Sequence, residues 1–440
     1  MGWGNGPRLG VSPHPEPLRG STLPLKGRVK GAKNPSDSFT LLAESGCVLG
    51  SQLLKRTCKL KDFVVTQKDR PKNRERDQER LETVLTHFLG AGFARREPAL
   101  LQPAGAFLDR LGEDFRGRLY LTNDGGDAEL CLRPEYTIPV SLDYLASPDA
   151  GRTAALAYGG AIFRVGEGQL SQAGLESFGR EDREAADAEI LGVALDAAKA
   201  AGAARLHVRL GDAGLVKAFL DRLSLPSAWR RRFEIGFARG TPLSKIFAPP
   251  ARKNGEAGAG MLAALSNVDA AGAKKLVEDL LSIAGISTVG GRSAGEIAER
   301  FLEQAALADG AGVNFDKRAL IEAFFEIEAA PDAASATLRK LAQDARLDLG
   351  FALDSFDTRS SFIAARGLSL EDMVFSTSFP HSIDYYSGFM FEARVAGASG
   401  ASPAISGGRY DTLLKTLGAA RDIPAVGAAI SIDRLLGGAA

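Results

Sequence analysis

LRPEYT, at residues 132–137, is the first of four short segments that bring charged and hydroxyl side chains next to apolar runs. The other three are Phe163-Arg164 together with QAGLE at 172–176, DYYSG at 384–388, and GGRYD at 407–411. Each segment lies at a predicted strand end or strand–helix junction, where a rigid sheet usually carries functional side chains. Four such segments in one chain indicate a binding site better than any single one, although their spacing alone does not bring them together.

Strands and helices are predicted outward from these segments. The predicted strands are Leu119–Thr122, Ala128–Leu132, Ala157–Val165, one that closes at Phe178, Leu206–Leu210, Met373–Ser378, Phe389–Val395 and Ala425–Ile430. The predicted helices are one from near Arg76 to Gly90, Ala104–Leu111, one that starts at Pro134, Glu184–Ala201, Leu215–Leu223, Ala273–Ile283 and Asp411–Leu417. The first two strands form a hairpin around Asn123-Asp124-Gly125-Gly126.

The fold class follows from where the helical pattern is concentrated. Between about residues 211 and 345 most of the sequence has helical period, whereas strands dominate before and after it. Antiparallel strands divided by a helical insertion are typical of an α+β protein, not of a doubly wound parallel sheet. The expected organisation is a core from 76 to 440 that contains the insertion, preceded by residues 1–75.

Composition excludes several classes of protein. The chain has 440 residues, of which 45% are hydrophobic and 25% charged, so two or three globular units are expected rather than a disordered or collagen-like chain. No uncharged apolar run approaches the length of a membrane span, and Met1–Gly20 lacks the apolar centre of a signal peptide. The three cysteines include no CxxC pair, which favours a reducing, cytoplasmic location without a disulfide framework or a cysteine zinc site.

The net charge of zero conceals a basic beginning. Residues 1–75 contain 14 Lys and Arg against 6 Asp and Glu, a net charge of +8 that the remaining residues balance. This stretch has no sustained helical or strand period, so we expect a disordered extension, or residues upstream of the true start. A basic arm that binds nucleic acid is the alternative, because unpatterned basic tails neutralise phosphate.

The polar residues of the four segments suit a small zwitterion with a basic ring. They include three acids, two arginines and three tyrosines: Glu135, Glu176, Asp384, Arg164, Arg409, Tyr385, Tyr386 and Tyr410. Carboxylates would accept from an ammonium group and a ring N–H, Arg164 would hold a carboxylate in a forked pair, and the tyrosines would cover the ring. Each segment also has a structural interpretation, such as an Arg133–Glu135 ion pair or a plain turn at Gly407-Gly408.

In this order, the segments resemble those of histidyl-tRNA synthetases. LRPEYT resembles the family's L-R-P-E-x-T, Phe163-Arg164 the start of class II motif 2, and QAGLE the Q-x-G-x-E that contacts histidine. Ile383–Gly388 is similar to the histidine-specific L-D-Y-Y-T-G, GGRYD to the family's G-G-R-Y-D, and AVGAAISIDRL at 425–435 to motif 3, with Arg434 as the motif's arginine. The match covers roughly residues 76–205 and 345–436. It implies a class II aminoacyl-tRNA synthetase-like core, an antiparallel sheet of six to seven strands flanked by helices, usually dimeric.

Three departures from the synthetases favour a catalytically inactive branch of this family. His381 stands where the synthetases have an arginine that neutralises charge during adenylation. The seven residues Val165–Ser171, between Arg164 and Gln172, include no Lys or Arg, although the synthetases keep cations there. Five residues follow Leu435, so no anticodon-binding domain is expected. Because cations stabilise the pentavalent phosphate electrostatically, their loss removes that part of catalysis, while the acids and tyrosines that would hold histidine remain.

The resemblance to that branch, the regulatory subunits of ATP phosphoribosyltransferase, implies a function. Such a protein is not an enzyme itself; it binds the short-form catalytic subunit in a hetero-oligomer, enables the first step of histidine biosynthesis and transmits feedback by L-histidine. A homodimer within the complex is also implied, without a cofactor, metal, membrane or nucleic-acid partner. The residues expected to bind histidine are Glu135, Thr137, Arg164, Gln172, Glu176, Tyr385, Tyr386 and Tyr410.

The alternative function is that of an active enzyme, either a truncated histidyl-tRNA synthetase or another adenylating amino-acid ligase. Two residues have more than one interpretation. His381 is either a solvated loop residue or a substitute cation whose charge depends on pH. Arg434 is either a remnant of ATP binding or a residue that caps a helix or pairs with an acid.

Overall fold

The computed structural model describes residues 70–111, 113–126, 128–248, 313–380, 385–397 and 402–435, with isolated residues between 249 and 312. All of them belong to one compact unit, Thr66–Ala440. The helix predicted at Ala273–Ile283, and most of the basic stretch 1–75, therefore lie outside the described residues. The last residues of that stretch are helical, because the first helix begins at Arg70 and not near Arg76.

Helices are numbered along the chain. They are α1 Arg70–Gly90, α2 Ala104–Leu111, α3 Thr137–Leu145, α4 Arg183–Ala200, α5 Ala213–Arg222, α6 Ser227–Ala238, α7 Leu243–Phe247, α8 Phe315–Phe325, α9 Pro331–Asp344, α10 Gly350–Ala365 and α11 Leu413–Thr416. Short 3-10 turns occur at Glu113–Arg118, Leu370–Asp372 and Ile432–Arg434.

Strands are numbered in the same way. They are β1 Ala94–Arg95, β2 Leu101–Pro103, β3 Leu121–Asn123, β4 Glu129–Leu132, β5 Ala154–Arg164, β6 Gly168–Phe178, β7 Leu206–Asp212, β8 Thr288–Val289, β9 Arg292–Ser293, β10 Glu328–Ala329, β11 Met373–Ser376, β12 Phe389–Val395, β13 Ile405–Arg409 and β14 Ala425–Ser431.

Nine strands form one mixed sheet, in the order β1-β5-β6-β14-β13-β12-β7-β11-β10. The six strands from β5 to β7 in that order are antiparallel throughout. At the edges, β1 pairs with β5 and β11 pairs with β7 in parallel. The α+β class with an antiparallel centre is confirmed, whereas the expected total of six to seven strands is too low because short edge strands extend the centre. The predicted hairpin lies in a separate sheet of order β2-β4-β3.

Strand β13 is a central element that sequence patterns missed. The interpretation of Gly407-Gly408 as a plain turn is wrong, because both glycines lie inside this central strand. A Cβ at Gly407 would stand 2.5 Å from the Phe391 ring, and one at Gly408 would stand 2.6 Å from the Phe389 carbonyl oxygen. Close packing therefore requires glycine at both positions. Two adjacent glycines also leave no alternating apolar pattern, so the sequence does not predict a strand there.

Other predicted elements are confirmed with shifted ends. The helix predicted to start at Pro134 begins at Thr137, and the one predicted over Asp411–Leu417 is limited to α11. In the region of the predicted insertion, the described residues form α5 to α9 and three two-residue strands. The limits of that insertion, about 211–345, stay a prediction. Among the described helices, none has the length and apolar character that crossing a membrane requires.

One face of the central sheet is covered by α1 and α4. Leu81, Val84, Leu85 and Phe88 of α1 are buried at helical spacing. Gly159 of β5 lets this helix come close, since a Cβ there would stand 2.8 Å from the Leu81 side chain. Helix α4 packs beside α1 and against β6, β13 and β14, with buried alanines along its length.

Candidate functional site

Glu176 of β6 lies at the centre of the candidate site, on the sheet face opposite α1 and α4. Its strand neighbours Ala173 and Leu175 belong to the core cluster of those helices, so strand alternation turns Glu176 to the other face. Gly427 of β14 lies directly opposite Glu176, and a Cβ there would stand 1.5 Å from Glu176 Oε2. The carboxyl group thus rests on the backbone of β14, and the residue is only 1% exposed.

Three hydroxyl groups donate hydrogen bonds to the Glu176 carboxyl group. Thr137 Oγ1 and Tyr158 OH donate to Oε1 at 2.8 Å and 3.0 Å, and Tyr410 OH donates to Oε2. Burial raises the pKa of Glu176 to about 8, although the three hydroxyl hydrogen bonds act in the opposite direction. Near pH 7, Glu176 is therefore mainly protonated when no ligand is bound.

Glu135 accepts hydrogen bonds from backbone amides at the beginning of α3. Its Oε2 accepts from the Thr137 backbone N–H at 2.6 Å, and its Oε1 accepts from the Ile138 N–H at 3.0 Å. These two amides are among the first N–H groups of the helix, which have no partner inside it. Burial raises the pKa of Glu135, while the two amide bonds and the positive charge of Arg164 lower it. Glu135 therefore joins the helix to the site and stands close to a cation.

Arg164 ends β5 beside Glu135. Its Nε donates to the Pro134 carbonyl oxygen at 2.9 Å, which anchors one edge of the guanidinium group. Burial lowers the pKa of this arginine, and the nearby Glu167 and Glu135 carboxylates raise it. Among the residues that the structure describes, no other hydrogen bond holds the guanidinium, so its two terminal nitrogens remain for a ligand carboxylate.

Aromatic rings form the opposite wall of the site. The Tyr385 ring lies 5.3 Å from the Tyr386 ring and 5.6 Å from the Tyr410 ring, both in edge-on geometry. Gly408 makes room for Tyr386, because a Cβ at Gly408 would stand 2.8 Å from that ring. Burial, followed by nearby carboxylates or tyrosines, raises the pKa of all three hydroxyl groups, so each remains a donor at neutral pH.

Gln172 supplies an unused acceptor. It lies four residues before Glu176 on the same strand, so both side chains point to the same sheet face. The residue is 6% exposed, and its Oε1 has no hydrogen-bond partner in the structure. Buried polar atoms are usually paired, and an unpaired one inside a candidate site points to a missing ligand. An N–H group of a bound molecule would satisfy it.

The structure separates other predicted residues from this group. Arg409 leaves the site face; it donates to Asp187 and Asp411 and to the Arg183 carbonyl oxygen. The proposed Arg133–Glu135 ion pair is also wrong, because Arg133 binds the carbonyl oxygens of Ala161 and Pro98. Asp384 and His381 lie outside the described residues.

Tyr158 is a site residue that sequence reasoning missed. Besides its bond to Glu176, its ring stacks on Tyr136 at 4.6 Å, and Arg133 lies 4.1 Å above the other ring of that pair. Tyr158 faces Gly174 across the β5–β6 register, where a Cβ would stand 2.2 Å from the tyrosine hydroxyl. Gly174 in QAGLE therefore indicates that a bulky side chain lies opposite it. Which residue that is depends on the strand register, so the sequence alone does not identify Tyr158.

The turn between β5 and β6 is tight. Arg164 pairs with Gly168 in the hairpin, so only three residues connect the two long strands. Glu167 in this turn accepts from Arg434 at 3.2 Å, and Asp433 accepts from the Ser171 N–H at 2.8 Å. Of the two interpretations of Arg434, pairing with an acid is the one that is observed.

Comparison with known proteins finds similar sequences. A family model described as histidyl-tRNA synthetase matches residues 67–239 and 262–435. Two similar relatives, from Brucella anthropi and Brucella canis, are each named ATP phosphoribosyltransferase regulatory subunit. They are 37% and 38% identical to this chain over 348 residues, which is 77% of this chain and 91% of each relative.

Solved structures share the fold. An ATP phosphoribosyltransferase regulatory subunit/histidyl-tRNA synthetase from Bacillus halodurans has a TM-score of 0.56 at 19% identity, over 83% of this chain and 79% of that chain. Histidyl-tRNA synthetase from a Nostoc species also has a TM-score of 0.56, at 17% identity, over 82% of this chain and 71% of that one. At such identities the likeness concerns the fold alone.

Proposed function

This chain belongs to the family of ATP phosphoribosyltransferase regulatory subunits, which has the histidyl-tRNA synthetase fold, and we propose that it acts in complex with a short-form catalytic subunit. In this role it has no catalytic activity of its own. It enables the partner to carry out the first step of histidine biosynthesis and reports the histidine concentration to it. The relatives' shared name supports the partner, since their match spans 91% of their length.

One observation carries the proposal. The acids and tyrosines that suit histidine are assembled around Glu176, whereas the adjacent β5–β6 turn lacks Lys and Arg and its acid, Glu167, engages Arg434. Binding an amino acid requires the first group of residues. Forming an adenylate additionally requires cations that face the phosphate during transfer. A site with the first feature and without the second fits a sensor better than it fits a ligase.

The proposed placement of histidine follows from the groups that are available. Its carboxylate lies on the terminal nitrogens of Arg164, because only the Nε of that guanidinium is used by the protein. Its ammonium group or ring N–H groups reach Glu176, Glu135 and the unpaired Gln172 Oε1. Its ring lies beside Tyr385, Tyr386 and Tyr410, which pack edge-on against one another and supply aromatic contacts and hydroxyl donors. Thr137 holds Glu176 in position from α3.

The rest of the proposal concerns the assembly. The chain forms a homodimer within a hetero-oligomer of the glycosyltransferase class, and it acts in the cytoplasm. The helical insertion at about 211–345 is a separate part of the same unit. These features are what the resemblance to the family implies, and light scattering of the purified complex measures its oligomeric state.

A reconstituted assay tests the function. The short-form catalytic subunit is assayed for phosphoribosyl-ATP formation alone, with this chain, and with this chain plus L-histidine. We expect this chain to raise the rate and histidine to lower it again. Histidine-dependent pyrophosphate exchange by this chain alone is measured in parallel. Exchange at the rate of an ordinary synthetase, without any effect on the partner, would favour the adenylating enzyme and overturn the proposal.

Glu176→Gln tests whether the site transmits feedback. The amide keeps the shape and accepts hydrogen bonds, but it lacks the negative charge that a cationic ligand needs. Above pH 8, where Glu176 is ionised before binding, we expect a loss of affinity for histidine of about 30- to 150-fold, as for a charge-assisted bond of about 2–3 kcal/mol. Because coupling between sites is reciprocal, this variant should activate the partner and resist inhibition. Glu129→Gln, an exposed acid paired with Arg116, is the matched control. Identical inhibition curves in all three proteins would place the feedback site elsewhere.

A further inference from the structure

Behind the candidate site, five acidic and basic residues form a continuous chain of alternating charge. In order of contact they are Asp212, Arg359, Asp187, Arg409 and Asp411, and we refer to them as the charge chain. Arg359 donates to Asp212 Oδ2 from Nη1 at 2.6 Å and from Nη2 at 2.8 Å. The first four members are at most 7% exposed, so water screens their attraction little.

One acid links the two arginines of the charge chain. Asp187 lies between them: its Oδ2 stands 3.4 Å from Arg359 Nε, an ion pair without a hydrogen bond, and its Oδ1 stands 2.7 Å from Arg409 Nη2. Arg409 Nη1 then donates to Asp411 Oδ1 at 2.9 Å. Burial acts to lower the pKa of Arg409, and the two carboxylates raise it above its ordinary value. The Arg409 guanidinium therefore stays charged, and each link requires both of its partners.

The charge chain ties four elements to one another. Asp212 ends β7 and accepts from the Leu215 N–H at 2.9 Å, which caps α5. Arg359 belongs to α10, Asp187 to α4, and Arg409 to the end of β13. These elements are distant in sequence, so the chain of ion pairs couples their positions in the folded protein.

The same residues hold the ligand-facing tyrosines. Tyr410 follows Arg409 directly, and strand alternation places its hydroxyl on Glu176 while Arg409 points to Asp187. The Arg409 carbonyl oxygen accepts from the Ser387 N–H at 2.8 Å, which fixes the turn after Tyr385 and Tyr386. The Arg359 guanidinium also lies 4.8 Å above the ring of Phe389, just beyond that turn. Displacement of either arginine would therefore move tyrosines in the site.

We propose that Arg359 is a positioning residue of this site: through Asp187 and Arg409 it holds the Tyr410 hydroxyl on Glu176. The inference rests on the proposed function for the identity of the ligand. It goes beyond that function because it predicts that a residue of helix α10 affects the affinity for the ligand. If the fork on Asp212 is lost, Asp187 and Arg409 rearrange, because a buried charge must regain a partner. Tyr410 then leaves its position, and Glu176 loses one of three donors.

A double-mutant cycle tests this connection. The variants are Arg359→Lys, Tyr410→Phe and the two combined, and titration calorimetry measures the Kd for L-histidine. Arg359→Lys keeps the positive charge but loses the two guanidinium hydrogen bonds to Asp212, and Tyr410→Phe loses the hydroxyl donor to Glu176. We expect about tenfold weaker binding of histidine from either single variant. The combined variant should bind nearly as well as Tyr410→Phe alone, since Arg359 acts through Tyr410. Arg339→Lys is the matched control, because Arg339 pairs with Asp354 and Asp357 of α10 at the surface, away from the charge chain.

A second measurement needs no ligand. The pH dependence of the unfolding free energy, compared with the same protein carrying Glu176→Gln, reports the pKa of Glu176. The other ionisable groups that face Glu176 are Glu135, Tyr158, Tyr385, Tyr386 and Tyr410. The tyrosines do not titrate between pH 6 and 9, and the comparison with Glu176→Gln removes the contribution of Glu135. We expect Arg359→Lys and Tyr410→Phe to raise the pKa of Glu176, and the combined variant to raise it no further.

The outcomes separate the inference from the proposed function. If Arg359→Lys lowers the melting temperature but leaves the Kd for histidine and the pKa of Glu176 at their wild-type values, the role of Arg359 is purely structural and the inference is wrong. Fully additive effects of Arg359→Lys and Tyr410→Phe would also overturn the inference. If the wild-type chain binds no histidine, the proposed function fails, and the pKa measurements still decide whether Arg359 positions Tyr410.

Discussion

Glu176 Oε2 occupies the place where a side chain at Gly427 would begin, since a Cβ there would stand 1.5 Å away. The two residues are cross-strand partners in β6 and β14, and the contact leaves the carboxyl group no room to move toward the sheet. Three hydroxyl groups hold it from the other directions. The position of the central acid is thus determined jointly by a strand register and by the absence of a side chain.

Gly427→Ala should therefore abolish the site. The added methyl group would displace the Glu176 carboxyl group and would also stand 2.9 Å from the Leu175 carbonyl oxygen. We expect the affinity for histidine to fall by about 100-fold and the unfolding free energy to fall by about 1–3 kcal/mol. Calorimetry and thermal unfolding measure the two effects. Gly90→Ala, where a Cβ meets nothing within 4 Å, should change neither; unaltered binding in Gly427→Ala would contradict the observed contact.

Stability should depend on pH through Glu176. Its pKa is raised from 4.5 to about 8, so the folded protein holds a proton that the unfolded chain has lost between these values. The stabilising effect is complete below pH 4.5 and is lost as pH rises through 8. Relative to Glu176→Gln, the wild type should lose about 2 kcal/mol of unfolding free energy between pH 6 and pH 8. Parallel denaturant titrations at several pH values measure the difference, and two parallel curves would refute the raised pKa.

Binding of a cation should release this proton. When an ammonium group or an imidazolium ring approaches Glu176, the charged carboxylate becomes the favoured form. We expect up to one proton to be released per histidine bound near pH 7, and none in Glu176→Gln. Calorimetry in two buffers with different ionisation enthalpies counts the protons. Equal apparent enthalpies in both buffers, for the wild type and for Glu176→Gln alike, would show that Glu176 is already ionised before histidine binds.

Tyr158 should contribute to affinity although it is not part of the expected motifs. Tyr158→Phe removes one of three donors to Glu176 and keeps the ring stack with Tyr136. We expect the pKa of Glu176 to rise further and the affinity for histidine to fall by about 5- to 10-fold at pH 7. Tyr144→Phe is the control, because that hydroxyl donates to the Arg152 carbonyl oxygen outside the site. Tyr144→Phe should lower stability without changing the affinity for histidine. An equal loss of affinity in both variants would mean that it comes from a general loss of stability and not from the lost donor to Glu176.

Arg164 should select for the carboxylate of the ligand. Histidinol has the ring and the ammonium group of histidine but no carboxylate, so it isolates this contact. We expect the wild type to prefer histidine over histidinol by at least about tenfold, and Arg164→Gln to remove most of the preference. Competition binding with both compounds gives the ratio. If Arg164→Gln weakens both equally, the guanidinium supports the fold through the Pro134 carbonyl oxygen rather than contacting the ligand.

Local sequence determined much of the molecule. Apolar periodicity located α1 and the strands around the site, because burial of one face imposes period 3.6 on a helix and period 2 on a strand. Short polar segments at element ends indicated which side chains to examine, and Glu135, Thr137, Glu176 and Tyr410 do lie together in the fold. These features depend on residues that are neighbours along the chain.

Tertiary structure alone decided which residues meet. Arg409 and Tyr410 are adjacent in sequence, yet one is held by Asp187 and the other by Glu176, because pairing of β13 within the sheet sends them to opposite faces. Tyr158 reaches Glu176 only through the β5–β6 register. The pKa of Glu176 likewise results from burial by strands far apart in the chain. Non-local pairing sets register, face and desolvation, and no pattern within a single segment contains that information.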